Sequence, residues 1–184
     1  SSGVLMTAAL FYLCAPSGAG KNALLSALNE FESAPYVAVR TITRPADITE
    51  ASEPVTAHVF AQFKEAGLFA LDWSANGFHY GIRTSEIACS DSVIINGSRA
   101  YWPEAKRRFP GMSLVTIEVP ELILKERLLA RERESEFEII ARLKRNRELS
   151  KELQKETPFC TLINDRSPRD MAVDFMERLG CISG

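Results

Sequence analysis

The sequence predicts an α/β fold, with a parallel sheet covered by helices on both faces. Three observations carry this. Short apolar runs of strand length recur along the chain, and segments with helical spacing or helix-start signals fall between them. The first apolar run ends in a glycine-rich turn that leads straight into a helical pattern, and the end of the first strand is where such folds bind ligands.

In chain order, "ALFYLCA" (Ala9–Ala15) reads as a buried strand. From Lys21, the residues Leu24, Leu25 and Leu28 recur at helical spacing up to Phe31. "YVAVRTI" (Tyr36–Ile42) alternates as a second strand, and "RPADITEASEPVTAH" (Arg44–His58), polar and broken by prolines, reads as a loop. "LFALDW", "SVIIN" (Ser92–Asn96) and "SLVTIEV" (Ser113–Val119) are further strands. Pro120 and Glu121 open a helix towards Arg131, with proline suited to the first turn. "SEFE" (Ser135–Glu138) has capping-box spacing for the next helix, and "SPRD" (Ser167–Asp170) starts the last in the same style.

Bulk properties narrow the function. The chain has 184 residues, enough for one domain with a sizeable core and a mobile subdomain. At 46% hydrophobic, 25% charged and a net charge of −2, it has no global basic field to suit nucleic acid or an acidic membrane. Cys14, Cys89, Cys160 and Cys181 form no CxxC pair, and with only His58 and His79 a zinc site has little to draw on. Most of these cysteines sit in or beside apolar segments, as small core residues in a reducing compartment do. No apolar stretch reaches the roughly 20 residues of a membrane span. The opening "SSGVLM" lacks a secretory signal's positive region, so a cytoplasmic protein is expected.

"APSGAGKN" (Ala15, Pro16, Ser17, Gly18, Ala19, Gly20, Lys21, Asn22) carries the chemistry. A phosphate loop needs small residues so that consecutive N–H groups converge on an anion. It also needs a lysine for the outer phosphates and a helix N-terminus. Gly18, Gly20 and Lys21 supply these, with Ala15 in the opening glycine position. The alternative is a strand-to-helix turn that binds nothing; spacing and context together favour a nucleoside triphosphate. Asn22 stands where a serine or threonine hydroxyl would hold Mg²⁺. Its amide oxygen can ligate the ion, or phosphates and water can hold it instead.

"PSGAGK", "TITRP", "FHYG", "INGSRA" and "RLLARERESEFEIIARL", in this order, resemble the guanylate-kinase-like branch of P-loop kinases. Within it, "RTITR", "WSANGFHYG", "INGSRA" and "TLINDRS" resemble the ribose 1,5-bisphosphate phosphokinases, from about Leu10 to Met176. The resemblance implies a single P-loop kinase domain over residues 1–184, with an acceptor-binding region near 36–82 and a lid near 131–142. It implies ATP and Mg²⁺ as cofactors and transfer to the 1-phosphate of ribose 1,5-bisphosphate, giving 5-phosphoribosyl 1-diphosphate in phosphonate metabolism. The partner is then a phosphorylated sugar, with no nucleic acid or membrane, and a homodimer is left open.

Guanylate itself fits poorly. The D-x-D of guanylate kinases is here Asn96-Gly97-Ser98. The glutamate before Tyr-Gly falls at Leu71, with Asp72 the alternative, and the second arginine of TTRxxR falls on Asp47. A guanine edge without those acceptors leaves its donors unpaired, at about 1–3 kcal/mol each. Arg99 has appeared instead, and a guanidinium suits a second phosphate.

Arg40 and Arg44 coincide with the family's acceptor-phosphate positions, although two arginines four apart also suit a solvated face. Tyr80 can donate its phenol to the same phosphate or be a core aromatic. Arg131 and Arg142 match arginines that close over the triphosphate, and Arg133 matches the nearer relatives; mixed charges there also suit a solvated face. No general base is evident. The attacking phosphate oxygen needs none, being largely ionised near neutral pH. Two competing readings remain, another nucleotide kinase and a binding module without catalysis; the module would show no appreciable ATP affinity.

Overall fold

The computed structural model describes residues 8–16, 18–45, 51–153 and 155–180. Its elements are β1 (Ala9–Cys14), α1 (Lys21–Leu28), β2 (Tyr36–Val37), β3 (Arg40–Ile42), β4 (Ser52–Pro54), α2 (Ala57–Glu65), β5 (Phe69–Ala75), β6 (Phe78–Arg83), α3 (Thr84–Ile87), β7 (Ser92–Asn96), a 3₁₀ turn (Arg99–Tyr101), α4 (Trp102–Arg108), β8 (Ser113–Glu118), α5 (Glu121–Ala130), α6 (Glu136–Leu153), β9 (Cys160–Ile163) and α7 (Pro168–Arg178). Two sheets form, a five-stranded one in the order β2-β7-β1-β8-β9 and a four-stranded one in the order β4-β3-β6-β5. The β2–β7 and β8–β9 pairs are parallel, as alternating strands and helices require. Among the described residues no helix is long and apolar enough to cross a membrane.

The chain divides into two compact units. One runs up to Tyr12 and resumes over Pro35–Ser113; the other comprises Leu13–Ala34 and the chain from Leu114.

In the first unit the expected strand over 36–42 breaks in two. Tyr36 and Val37 pair with Val93 and Ile94, whereas Arg40–Ile42 pairs antiparallel with β6. The crossing is anchored at Ala38, whose N–H donates to Ile94 O at 2.9 Å, and at Val39, whose N–H donates to Glu86 Oε1 at 2.6 Å. The expected loop over 44–58 is also corrected: its last part holds β4, parallel to β3, and the start of α2. Thr56 caps α2, its side chain accepting from Val59 N–H at 3.1 Å. Asp47 lies outside the described residues.

In antiparallel register, paired residues share a face. One face of the four-stranded sheet therefore carries Arg40, Ile42, Leu71, Trp73, Tyr80 and Ile82. The other carries Thr41, Glu53, Asp72 and Arg83, and there α2 packs Phe60 against Phe69 at 4.7 Å. Thr41 Oγ1 and Arg83 Nη2 donate to Glu53 Oε1 at 2.9 and 2.6 Å. Burial works to raise the Glu53 pKa, but these two donors hold it below the usual carboxylate value.

In the second unit α1 packs against α7. Helix α1 ends at Leu28, short of Phe31, which continues as a turn with its N–H on Leu28 O at 3.0 Å. Pro120 serves as the N-cap of α5 and stands just outside the first turn, its ψ of 133° being extended. Ser135 Oγ accepts from Glu138 N–H at 3.2 Å, and Ser167 with Asp170 completes a capping box on α7. Leu124, Leu128, Ile139 and Leu143 join α5 to α6 in a buried cluster. Cys14 and Cys160 are buried and Cys89 is exposed; Cys181 lies outside the described residues.

Candidate active site

The second unit carries the glycine-rich loop. Gly18 and Gly20 both have positive φ, at 82° and 94°, a conformation that glycine alone adopts at little cost. Between them Ala19 is buried and donates its N–H to Pro16 O at 3.1 Å, closing a tight turn. Gly20 is then the N-cap of α1, a residue with no side chain to cap the helix. Lys21 is half-buried at the first helical position, and Asn22 is exposed at the second. Ala15 is half-buried and Pro16 buried, while Ser17 lies outside the described residues.

Helix α5 stands against this loop. A Cβ on Gly18 would lie 3.4 Å from Leu124 Cδ1, 3.6 Å from Leu128 Cδ2 and 3.9 Å from Arg131 Cζ. The buried cluster thus presses α5 onto the loop and leaves the guanidinium of Arg131, at the helix C-cap, beside Gly18. Arg142 lies within α6, where its Nε donates to Glu134 Oε2 at 3.1 Å and its Nη2 meets the other carboxylate oxygen. Arg133 is exposed in the turn between α5 and α6, next to Glu132, whose φ is +52°.

One residue here escapes the sequence reading in its role. Asn164, directly after β9, is 5% exposed and donates its side-chain Nδ2 to Ala19 O at 2.6 Å. The only local signal is a polar residue set immediately behind the apolar end of "TLI".

The first unit carries the expected acceptor residues. Arg40 is 7% exposed, with Cζ 5.2 Å from the centre of the Tyr80 ring and Nη1 on Asn96 O at 3.5 Å. Tyr80 is equally buried and stacks on Trp73, ring centres 5.6 Å apart, and Trp73 stacks in turn on Tyr101 at 5.2 Å. Arg40, Tyr80 and Asn96 are thereby brought together. Arg44 is half-buried just beyond the end of β3, and Arg99 is half-buried at the start of the 3₁₀ turn.

A buried tyrosine fixes the turn after β7. Tyr12 donates its hydroxyl to Ser98 O at 2.6 Å, and a Cβ on Gly97 would stand 2.2 Å from the Tyr12 ring. Only glycine lets the backbone cross that ring. Asn96 is 5% exposed, and its Oδ1 has no hydrogen-bond partner within the described protein. Neither candidate position puts a carboxylate on the sheet face that carries Arg40 and Tyr80. Leu71 is fully buried on it, and Asp72 lies on the opposite face, paired with Lys64 at 3.0 Å. Among the described residues, no three His, Cys, Asp or Glu side chains converge as a metal site.

No protein-family model matches the chain. Solved structures show the fold. Guanylate kinase from Anaplasma phagocytophilum superposes with a TM-score of 0.68 at 15% identity, covering 96% of this chain and 88% of that one. A gluconokinase from Sinorhizobium meliloti follows with a TM-score of 0.53 at 13% identity, covering 95% and 93%. In sequence, the chain is 41% identical over 181 residues to ribose 1,5-bisphosphate phosphokinase PhnN of Pseudomonas paraeruginosa, covering 95% of this chain and 97% of that protein. It is 43% identical over 164 residues to the PhnN of Pectobacterium parmentieri, covering 85% of each. With a kinase fold, a glycine-rich loop opening α1 and identity of this extent, the chain is a phosphotransferase and belongs to the ribose 1,5-bisphosphate phosphokinase PhnN family.

Proposed function

We propose that the protein transfers the γ-phosphoryl group of ATP to the 1-phosphate of ribose 1,5-bisphosphate, giving 5-phosphoribosyl 1-diphosphate and ADP. The observation that carries the acceptor assignment is the buried guanidinium of Arg40 on a sheet face whose described strand residues include no acid. A guanine edge needs carboxylate acceptors there, whereas a phosphate needs a cation.

In this reading Arg40, Arg44 and Arg99 bind the two acceptor phosphates, and Tyr80 orients one of them. Lys21 and the amides of the loop hold the triphosphate. Arg131, Arg133 and Arg142 neutralise charge spreading over the transferred group, Arg142 exchanging Glu134 for phosphate as the lid closes. The attacking oxygen is already ionised, so the bond to the γ-phosphorus forms, and the bond to the β-phosphate oxygen breaks, without a protein base.

Mg²⁺ fits this donor set, because that ion is usually held by phosphates and water with one or two protein oxygens. Asn22, exposed at the second position of α1, offers one. The ion would screen the charge of the triphosphate. The substrates are intracellular solutes, which suits action in the cytoplasm. A coupled assay of ADP release tests the reading: ribose 1,5-bisphosphate should drive it and GMP should not, and the reverse order would overturn the acceptor assignment.

A further inference from the structure

We propose that Asn164 is a positioning residue that sets the direction of the Gly20 amide and so keeps the loop in its anion-binding conformation. This rests on the reading that the loop holds the triphosphate.

Asn164 is itself firmly placed. Its backbone N–H donates to Glu118 O at 2.8 Å, extending the β8–β9 pairing, and the residue is 5% exposed. The side-chain nitrogen faces Ala19 O at 2.6 Å, and because a carbonyl only accepts, the amide orientation is fixed by its partner. The contact is close along the whole turn: a Cβ on Gly20 would stand 2.5 Å from the same nitrogen.

The consequence follows from peptide geometry. The Ala19–Gly20 peptide is trans, so its C=O and N–H point in opposite directions. Drawing the Ala19 oxygen onto Asn164 aims the Gly20 N–H away from Asn164, and Gly20 is the N-cap of α1, where the helix dipole favours an anion. Sterics alone would not hold this plane. Glycine tolerates either sign of φ, so rotating the peptide costs little at position 20. The rotated peptide would offer a carbonyl oxygen to the phosphates. The buried hydrogen bond from Asn164 selects between the two, from a strand more than a hundred residues away in sequence.

The test is calorimetric titration of the full chain with two probes, ATP and inorganic tripolyphosphate. Wild type is compared with Asn164→Ala and Asn164→Asp, each checked by circular dichroism. Asn164→Ala should weaken both probes by about tenfold, the loss expected for one buried hydrogen bond. Asn164→Asp should weaken them further at pH 8, where a carboxylate opposes the carbonyl. Relative to wild type it should recover as the pH falls, because a protonated carboxyl regains a donor. If either variant does not fold, Asn164→Ser keeps a donor at smaller volume, and an intermediate loss is expected.

Unchanged tripolyphosphate affinity in Asn164→Ala would overturn the proposal. So would a loss confined to ATP, because Asn164 would then act on the nucleoside. Wild-type protein that binds neither probe would instead overturn the loop reading itself.

Discussion

Replacing Arg40 by methionine removes the charge at similar volume and separates binding from stability. Arg40 is 7% exposed, with Asn96 O 3.5 Å from its Nη1 and the centre of the Tyr80 ring 5.2 Å from its Cζ. The ring contact is worth about 0.5–2 kcal/mol, against a desolvation cost of several kcal/mol for a buried ion. A neutral side chain of the same size keeps the packing, so the unfolding midpoint should change little beside the change in catalysis. Catalysis should suffer far more. A forked pair of hydrogen bonds to a phosphate, at about 1.5–3 kcal/mol each, predicts a fall in kcat/KM for the acceptor of about 10²- to 10⁴-fold. Arg40→Lys keeps the charge but not the fork and should fall between. Steady-state kinetics with the acceptor varied, alongside thermal unfolding, gives both numbers. A variant that loses several kcal/mol of stability yet keeps its kcat/KM would refute the reasoning and make Arg40 a structural ion.

Other outcomes follow from the same structure. Lys21→Ala should abolish transfer and leave the circular dichroism spectrum intact; full turnover would remove the loop from the mechanism. Arg99→Ala should raise the KM for the acceptor more than that for ATP, and equal losses would end its assignment to the second phosphate. Asp170 is held below the usual carboxylate value, first by the hydrogen bonds of Ser167. Its contribution to stability is thus fully present above the unfolded-state pKa near 3.8 and is lost as the pH falls through the lower folded value. Ser167→Ala should flatten that acid limb of the unfolding curve, and an unchanged limb would count against the cap.

The features legible in the sequence were local. The strand, loop and helix over Ala9–Leu28 were legible because glycine spacing and apolar periodicity both act within a few residues. The capping box of α7 was legible for the same reason. The break at Ala38–Val39 was not, since strands in either sheet keep the alternation of period two, and only the partners differ. Strand β4 was hidden because "SEP" has no strand character of its own and is held by its register with β3. For the candidate site, residue types pointed to Arg40 and Tyr80, but their ring contact is a product of β3–β6 pairing. The bond from Asn164 to Ala19 spans 145 positions, beyond the reach of any local pattern.

The most direct test of the central claim is ³¹P NMR of the protein with Mg-ATP, with ribose 1,5-bisphosphate in one tube and GMP in another. The account predicts a new pair of diphosphate doublets with ADP in the first tube and an unchanged GMP resonance in the second. GDP in the second tube, or no new diphosphate in the first, would contradict it.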